Sequence, residues 1–217
     1  MNSSGVYYLQ KVAIFIIIRR RNKTPMCIIL IGKINKEQYK NALVENPDGF
    51  SLYTKELGLI KAPTKKEVDK AIGQFGIWHF RIATSGTKVT TDPYNIHPFA
   101  ICNGEYYLYH NGVLGSGLGN KSDTHALADL LSSATLETAK TVINSLSQGN
   151  RFVIVNAHNP EEYYLFGEWV CKSGVLMSHQ MYTYKSFKYA SNVWKDESLS
   201  DDFYIPYKYR GTGKEVK

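Results

Sequence analysis

The stretch Met26-Cys27-Ile28-Ile29-Leu30-Ile31-Gly32 places a small nucleophile directly before an unbroken apolar run. The run is rich in β-forming residues and stops at a glycine, so it reads as a buried strand. If translation starts at Met26 and that methionine is trimmed, Cys27 becomes the first residue and carries its own base. A free α-amine has a pKa of about 7.7–8.0 and a free thiol one near 8.5. Nucleophile and base on one residue need no histidine partner. The competing reading is a small core cysteine, the commoner fate of this residue type. The stretch alone favours that reading, and the motifs downstream reverse it.

The chain has 217 residues, 43% hydrophobic and 21% charged, which suits one ordinary globular unit. Its net charge of +7 is concentrated at the start. Lys11, Arg19, Arg20, Arg21 and Lys23 stand in residues 1–26 without an acid, leaving only +2 for residues 27–217. That balance gives no electrostatic footprint for nucleic acid. Cys27, Cys102 and Cys171 are odd in number, far apart and without metal-ligand spacing. They indicate a reducing, cytoplasmic setting with no disulfide framework, and no metal or organic cofactor is expected.

Residues 1–26 read as a leader. Val12–Ile18 is apolar but only seven residues long, too short to span a bilayer. A signal peptide would put its basic residues before the apolar run, whereas here three arginines follow it. An interfacial anchor and a propeptide removed before Cys27 both remain open. The preferred reading is untranslated sequence read in frame from a start codon placed too early. Adjacent arginine codons AGG AGG would then be a ribosome-binding site a few codons before Met26, which the gene sequence tests.

Beyond the first strand, Lys36–Val44 reads as a helix and Asn46-Pro47-Asp48-Gly49 as a turn. Phe50–Tyr53 reads as a strand, and Thr64–Ile72 as a helix opened by a Thr64/Glu67 capping box. Phe75–Ala83 reads as another strand. Pro98–Cys102 and Glu105–His110 form a hairpin about the turn Asn103-Gly104. Helices are expected from Ser122 to about Leu131 and over Thr135–Leu146, then strands at Arg151–Asn156, Tyr163–Phe166 and Val175–Ser178. The mixture is α+β. Residues 181–217, rich in tyrosine, are expected to pack on the body.

Four motifs in order resemble the class II glutamine amidotransferase domain, a branch of the N-terminal-nucleophile hydrolases. They are Met26-Cys27; Asn46-Pro47-Asp48-Gly49; His79-Phe80-Arg81-Ile82-Ala83-Thr84-Ser85-Gly86 with Asn95-Ile96-His97-Pro98-Phe99; and His110-Asn111-Gly112 followed by Ser122-Asp123-Thr124. The resemblance covers roughly residues 27–170 and implies a four-layer αββα sandwich. It implies that Cys27 attacks the side-chain amide of glutamine while Asn111 and Gly112 stabilise the oxyanion. Arg81 is expected on the substrate carboxylate and Asp123 on its ammonium, with Thr84 and Gly86 lining the substrate loop. His79 and His97 are expected to be structural, and Asp48 and Gly49 to shape a turn beneath the nucleophile. Without the motif, Arg81 would be read as a structural ion pair.

Two residues depart from the family pattern: Ser85 stands for a common histidine and Ile82 for a frequent tryptophan, which bears on glutamine specificity. Fewer than fifty residues follow position 170, so ammonia is expected to pass to a separate acceptor enzyme. The expected units are thus 1–26 leader, 27–180 glutaminase-like domain and 181–217 extension, with no membrane partner. Two alternatives stand beside this reading. One is an amidohydrolase of the same fold acting on another amide or a γ-glutamyl compound. The other is a non-catalytic binding protein in which Cys27 stays inside an unprocessed chain.

Overall fold

The computed structural model describes residues 26–82, 93–115, 117–179 and 203–204. The opening run forms β1 (Ile28–Lys33), and its surroundings explain its composition. β1 lies inside an antiparallel sheet, between β4 (Phe75–Phe80) and β10 (Val175–Met177). Successive strand residues leave on opposite faces. Ile28 and Leu30 pack with Leu52, Trp78 and Phe80 against Ala42, Val68 and Ala71 of two helices. Ile29 and Ile31 pack the other way, against Tyr109, Val153, Val155 and Tyr163 of a second sheet. Both faces are dry, so the strand has no place for a polar residue. Burial of each such aliphatic side chain contributes about 1.5–3 kcal/mol.

Among the described residues the first sheet has seven strands in the order β11-β9-β10-β1-β4-β2-β3. Its remaining members are β2 (Phe50–Thr54), β3 (Gly58–Lys61), β9 (Val170–Lys172) and β11 (Phe203–Tyr204). The second has the order β5-β6-β7-β8, from β5 (Phe99–Ile101), β6 (Tyr106–Asn111), β7 (Arg151–Asn156) and β8 (Asn159–Phe166). Among the described residues every strand pairing is antiparallel. Four α-helices are described: α1 (Lys36–Glu45), α2 (Lys65–Ala71), α3 (Asp123–Leu130) and α4 (Leu136–Ser145). The α+β expectation therefore holds. A third apolar cluster joins Leu108, Phe152 and Ile154 of the second sheet to Ala128, Ala139 and Ile143 of α3 and α4. Among the described residues no helix is long and apolar enough to cross a membrane.

The Thr64/Glu67 capping box is present, and Ser122 and Thr135 cap α3 and α4 as their positions suggest. The hairpin differs from expectation. Ile101 pairs with Tyr106, so four residues connect the strands, and Cys102, Asn103 and Gly104 all take positive φ. The turn is shaped by what it caps: the N–H groups of Cys102 and Asn103 donate to the Leu131 and Ser132 carbonyls just beyond α3. Strands β3 and β9 were not anticipated, and β4 ends at Phe80.

Candidate active site

Strand register brings the first two expected residues together. Ile28 pairs with Phe80, and Phe80 also faces Phe50, so Cys27, Arg81 and Gly49 are neighbours one step beyond the strand ends. The turn then grips Arg81. Arg81 N donates to Gly49 O at 2.7 Å, Asp48 N donates to Arg81 O at 3.0 Å, and Arg81 Nη1 reaches Asp48 O at 3.4 Å. A Cβ on Gly49 would lie 3.0 Å from Ile96 Cγ1 and 3.4 Å from Arg81 Cβ, in a positive-φ conformation. Asn46, the first residue of the same turn, donates to Met26 O at 2.7 Å and to Phe80 O at 3.2 Å, fixing the segment that leads into Cys27.

The thiol is part-buried, its Sγ lying 3.8 Å from the Ile82 carbonyl oxygen. Desolvation pushes its pKa up to about 11; the Ile82 contact and the Arg81 charge pull it down, and Asp123 adds to the rise. With Met26 attached, Cys27 has an amide nitrogen and no base of its own, so the thiolate is scarce at neutral pH. Its alkylation by iodoacetamide is expected to rise about tenfold per pH unit and to be still rising at pH 10. A plateau near the ordinary thiol value of about 8.5 would contradict this account of the environment.

Arg81, Gly112 and Asp123 join Cys27 around one cavity of about 20 Å³, together with Ile82, His97, His110, Ser122 and Thr124. Such a volume holds about one water. Gly112 follows the end of β6 with φ +154. A Cβ there would lie 1.9 Å from Asn150 Oδ1 and 2.7 Å from His110 Nε2, so close packing dictates the glycine. Asn150 Oδ1 accepts from Val113 N at 3.1 Å, and Asn150 Nδ2 donates to Leu146 O at 2.9 Å. Asp123 opens α3, where the helix dipole favours a carboxylate. Its Oδ2 accepts from Leu114 N at 2.8 Å and its Oδ1 from Thr124 N at 2.7 Å. Asn95 braces the approach to α3, accepting from Ser122 N at 2.7 Å and donating to Asn120 O at 2.8 Å.

The histidines around the site are poor bases. Burial lowers the pKa of His79 to about 3 and that of His97 well below the ordinary value. Their rings lie 4.2 Å apart. Burial also lowers His110, whose Nδ1 is 2.8 Å from Thr124 Oγ1 and whose Nε2 is 3.0 Å from Asn150 Oδ1. A general base works best with a pKa near the operating pH.

Asn111 is buried beside this cavity but does not line it. Its Nδ2 donates to Ser178 Oγ at 2.8 Å. Thr84 and Gly86, and with them Ser85, lie outside the described residues. Asn150 and Ser178 escaped the sequence reading, and the scaffolding roles of Asn46 and Asn95 were not assigned. A larger cavity of about 690 Å³ lies elsewhere, lined by Lys61, Tyr94, Phe99, Tyr107 and His125 among others, and includes none of the expected site residues.

Two curated proteins resemble the chain. A glutamine–fructose-6-phosphate aminotransferase (isomerizing) of Lactiplantibacillus plantarum is 36% identical over 92 residues, covering 40% of this chain and 14% of that protein. A protein of the same name from Streptococcus mutans is 25% identical over 170 residues, covering 69% of this chain and 28% of its own length. The chain thus spans less than a third of either relative. No protein-family model matches it. The resemblance to class II glutamine amidotransferases read from the motifs is shared by these two similarities, at low identity and over part of the chain.

Proposed function

We propose that this chain releases ammonia from glutamine in the manner of a class II glutamine amidotransferase, through Cys27 as an N-terminal nucleophile. The observation that supports this most is the meeting of Cys27, Arg81, Gly112 and Asp123, distant in sequence, around one cavity. The Cys27 α-amine takes the thiol proton, directly or through one water, and Sγ attacks the side-chain amide carbon. Asn111 Nδ2 and the Gly112 N–H meet the developing oxyanion. The α-ammonium returns its proton to the leaving nitrogen, ammonia departs and a γ-glutamyl thioester remains. Water then hydrolyses the thioester to glutamate. The lowered histidine pKa values favour the α-amine as base.

Arg81 and Asp123 set one cation and one anion at the same cavity, the pairing that an amino-acid head group needs. Thr84 and Gly86 lie outside the described residues, and their place in the substrate loop rests on the resemblance alone. Ordinary ligand pockets run to roughly 300–1,000 Å³, so residues around the cavity part to admit glutamine. The catalytic unit is residues 27–180, and its chemistry requires a chain that begins at Cys27; residues 1–25, 180–202 and 205–217 lie outside the described residues. Its architecture is the αββα sandwich, for which three apolar clusters, one between the sheets and one on each outer face, are the packing required. The ammonia passes to a separate acceptor enzyme. The setting is cytoplasmic, in keeping with three free cysteines.

The test is release of ammonia and glutamate by protein shown to begin at Cys27, with asparagine and γ-glutamyl amides as competing substrates. Release from glutamine alone supports the proposal; release only from another amide overturns it in favour of a different amidohydrolase. Arg81→Lys keeps the charge and loses the planar fork. A charge-assisted hydrogen bond contributes about 1.5–3 kcal/mol, so kcat/KM for glutamine is expected to fall about 10- to 100-fold, chiefly through KM. Unchanged KM would remove Arg81 from the substrate site.

A further inference from the structure

We infer that Ser178 is a positioning residue for Asn111, tying the oxyanion donor to the strand that carries the nucleophile. The inference rests on the glutaminase reading above. Ser178 directly follows β10 and is buried. Its N–H donates to Ile29 O at 3.0 Å, and its Oγ accepts from Ile29 N at 2.9 Å. This double clasp pins the hydroxyl to β1, two residues from Cys27. The same Oγ accepts from Asn111 Nδ2 at 2.8 Å, across the layer between the sheets.

That layer also holds apolar side chains such as Ile29, Ile31 and Val153, the His79 ring beside Tyr109, and a second polar tie in which Tyr53 Oη donates to Asn156 O at 3.1 Å. A polar tie through it is costly to leave unmade, which argues for a specific use. Among the described residues the Asn111 carboxamide has no other hydrogen bond, its Oδ1 being buried without a partner. One bond therefore sets the rotation of the carboxamide about its last torsion. One Nδ2 hydrogen is taken by Ser178, and the other is left to meet an oxyanion. Removing the hydroxyl frees the carboxamide to turn, and the donor is presented for only part of the time. The substrate head group, bound by Arg81 and Asp123, is not touched by this change.

Ser178→Ala, in protein beginning at Cys27, is expected to lower kcat about 10- to 100-fold with KM for glutamine unchanged. Alkylation of Cys27 by iodoacetamide, a displacement with no oxyanion, is expected to keep its rate. In an Asn111→Ala background the further loss from Ser178→Ala is expected to vanish, and Ser178→Thr is expected to recover most of kcat. Should Ser178→Ala fail to fold, Ser178→Cys is expected to give the same split between kcat and alkylation. A rise in KM with kcat unchanged, a slowed alkylation, or a full effect in the Asn111→Ala background would overturn the inference.

An independent reading does not need turnover. The side-chain amide resonance of Asn111 in ¹⁵N-labelled protein is expected to exchange slowly in the wild type and rapidly in Ser178→Ala. Equal exchange in both would overturn the positioning role, whereas absence of ammonia release with the exchange difference intact would overturn only the glutaminase reading.

Discussion

Cys27→Ala is expected to reduce ammonia release from glutamine to background, a loss of at least about 10⁴ in kcat, because no other group takes the place of a lost nucleophile. Of the described histidines near the site, His79 and His97 are held neutral by burial, His110 has both ring nitrogens engaged, and burial lowers the pKa of His179, which hydrogen-bonds the backbone of Met26 and Cys27. Cys102 and Cys171 do not line the cavity with Arg81 and Asp123. Glutamine binding is expected to survive, since the head group meets Arg81 and Asp123. Calorimetric titration of glutamine onto the Cys27→Ala protein checks this. Stability should change little, because Cys27 stands outside β1 and makes one weak thiol contact. Residual turnover above about 1% would point to a different nucleophile.

Gly112→Ala is the second large effect, and it combines chemistry with sterics. The added Cβ falls 1.9 Å from Asn150 Oδ1. Asn150 cannot simply swing aside, because it holds Val113 N, His110 Nε2 and Leu146 O. Overpacking of this kind costs about 1–3 kcal/mol. The Gly112 N–H also moves from its place at the cavity that Cys27 lines, and loss of one oxyanion donor costs about 10²–10³ in rate. The variant is thus expected to lose both stability, read by thermal unfolding, and kcat, read well below its unfolding temperature. Asn150→Ala added to Gly112→Ala is expected to recover part of the stability. If Gly112→Ala folds and turns over normally, the close packing behind the glycine is not what the site requires.

Much of this architecture was legible in the residues, for physical reasons that differ by element. β1 could be read because both of its faces are buried, which removes polar residues from the run. α2 could be read because its capping box writes a threonine and a glutamate at a fixed offset. β3 and β9 have four and three residues and only partial burial, too little pattern to rise above a loop. The connection after β5 was misjudged because its shape answers to the α3 terminus, which is distant in sequence. The convergence of Cys27, Arg81, Gly112 and Asp123 follows from strand register and from the start of α3; spacing alone does not contain it, and the family resemblance supplied it. Asn150 and Ser178 had no signal to offer, since a lone polar residue at a strand or helix end looks like any other until its partner is known, and Asn46 was visible only as the first residue of its turn motif. Thr84 and Gly86 lie outside the described residues, and their roles rest on the resemblance.

The central claim is that the free α-amine of Cys27 is the base. It is tested most directly by comparing ammonia release from glutamine by two forms of the chain, each verified by intact mass: one beginning at Cys27, the other retaining Met26 and a residue before it to block trimming. The account predicts turnover by the first form and none above background by the second, in which the nitrogen is an amide and burial keeps the thiol protonated. Equal turnover by the two forms would contradict it.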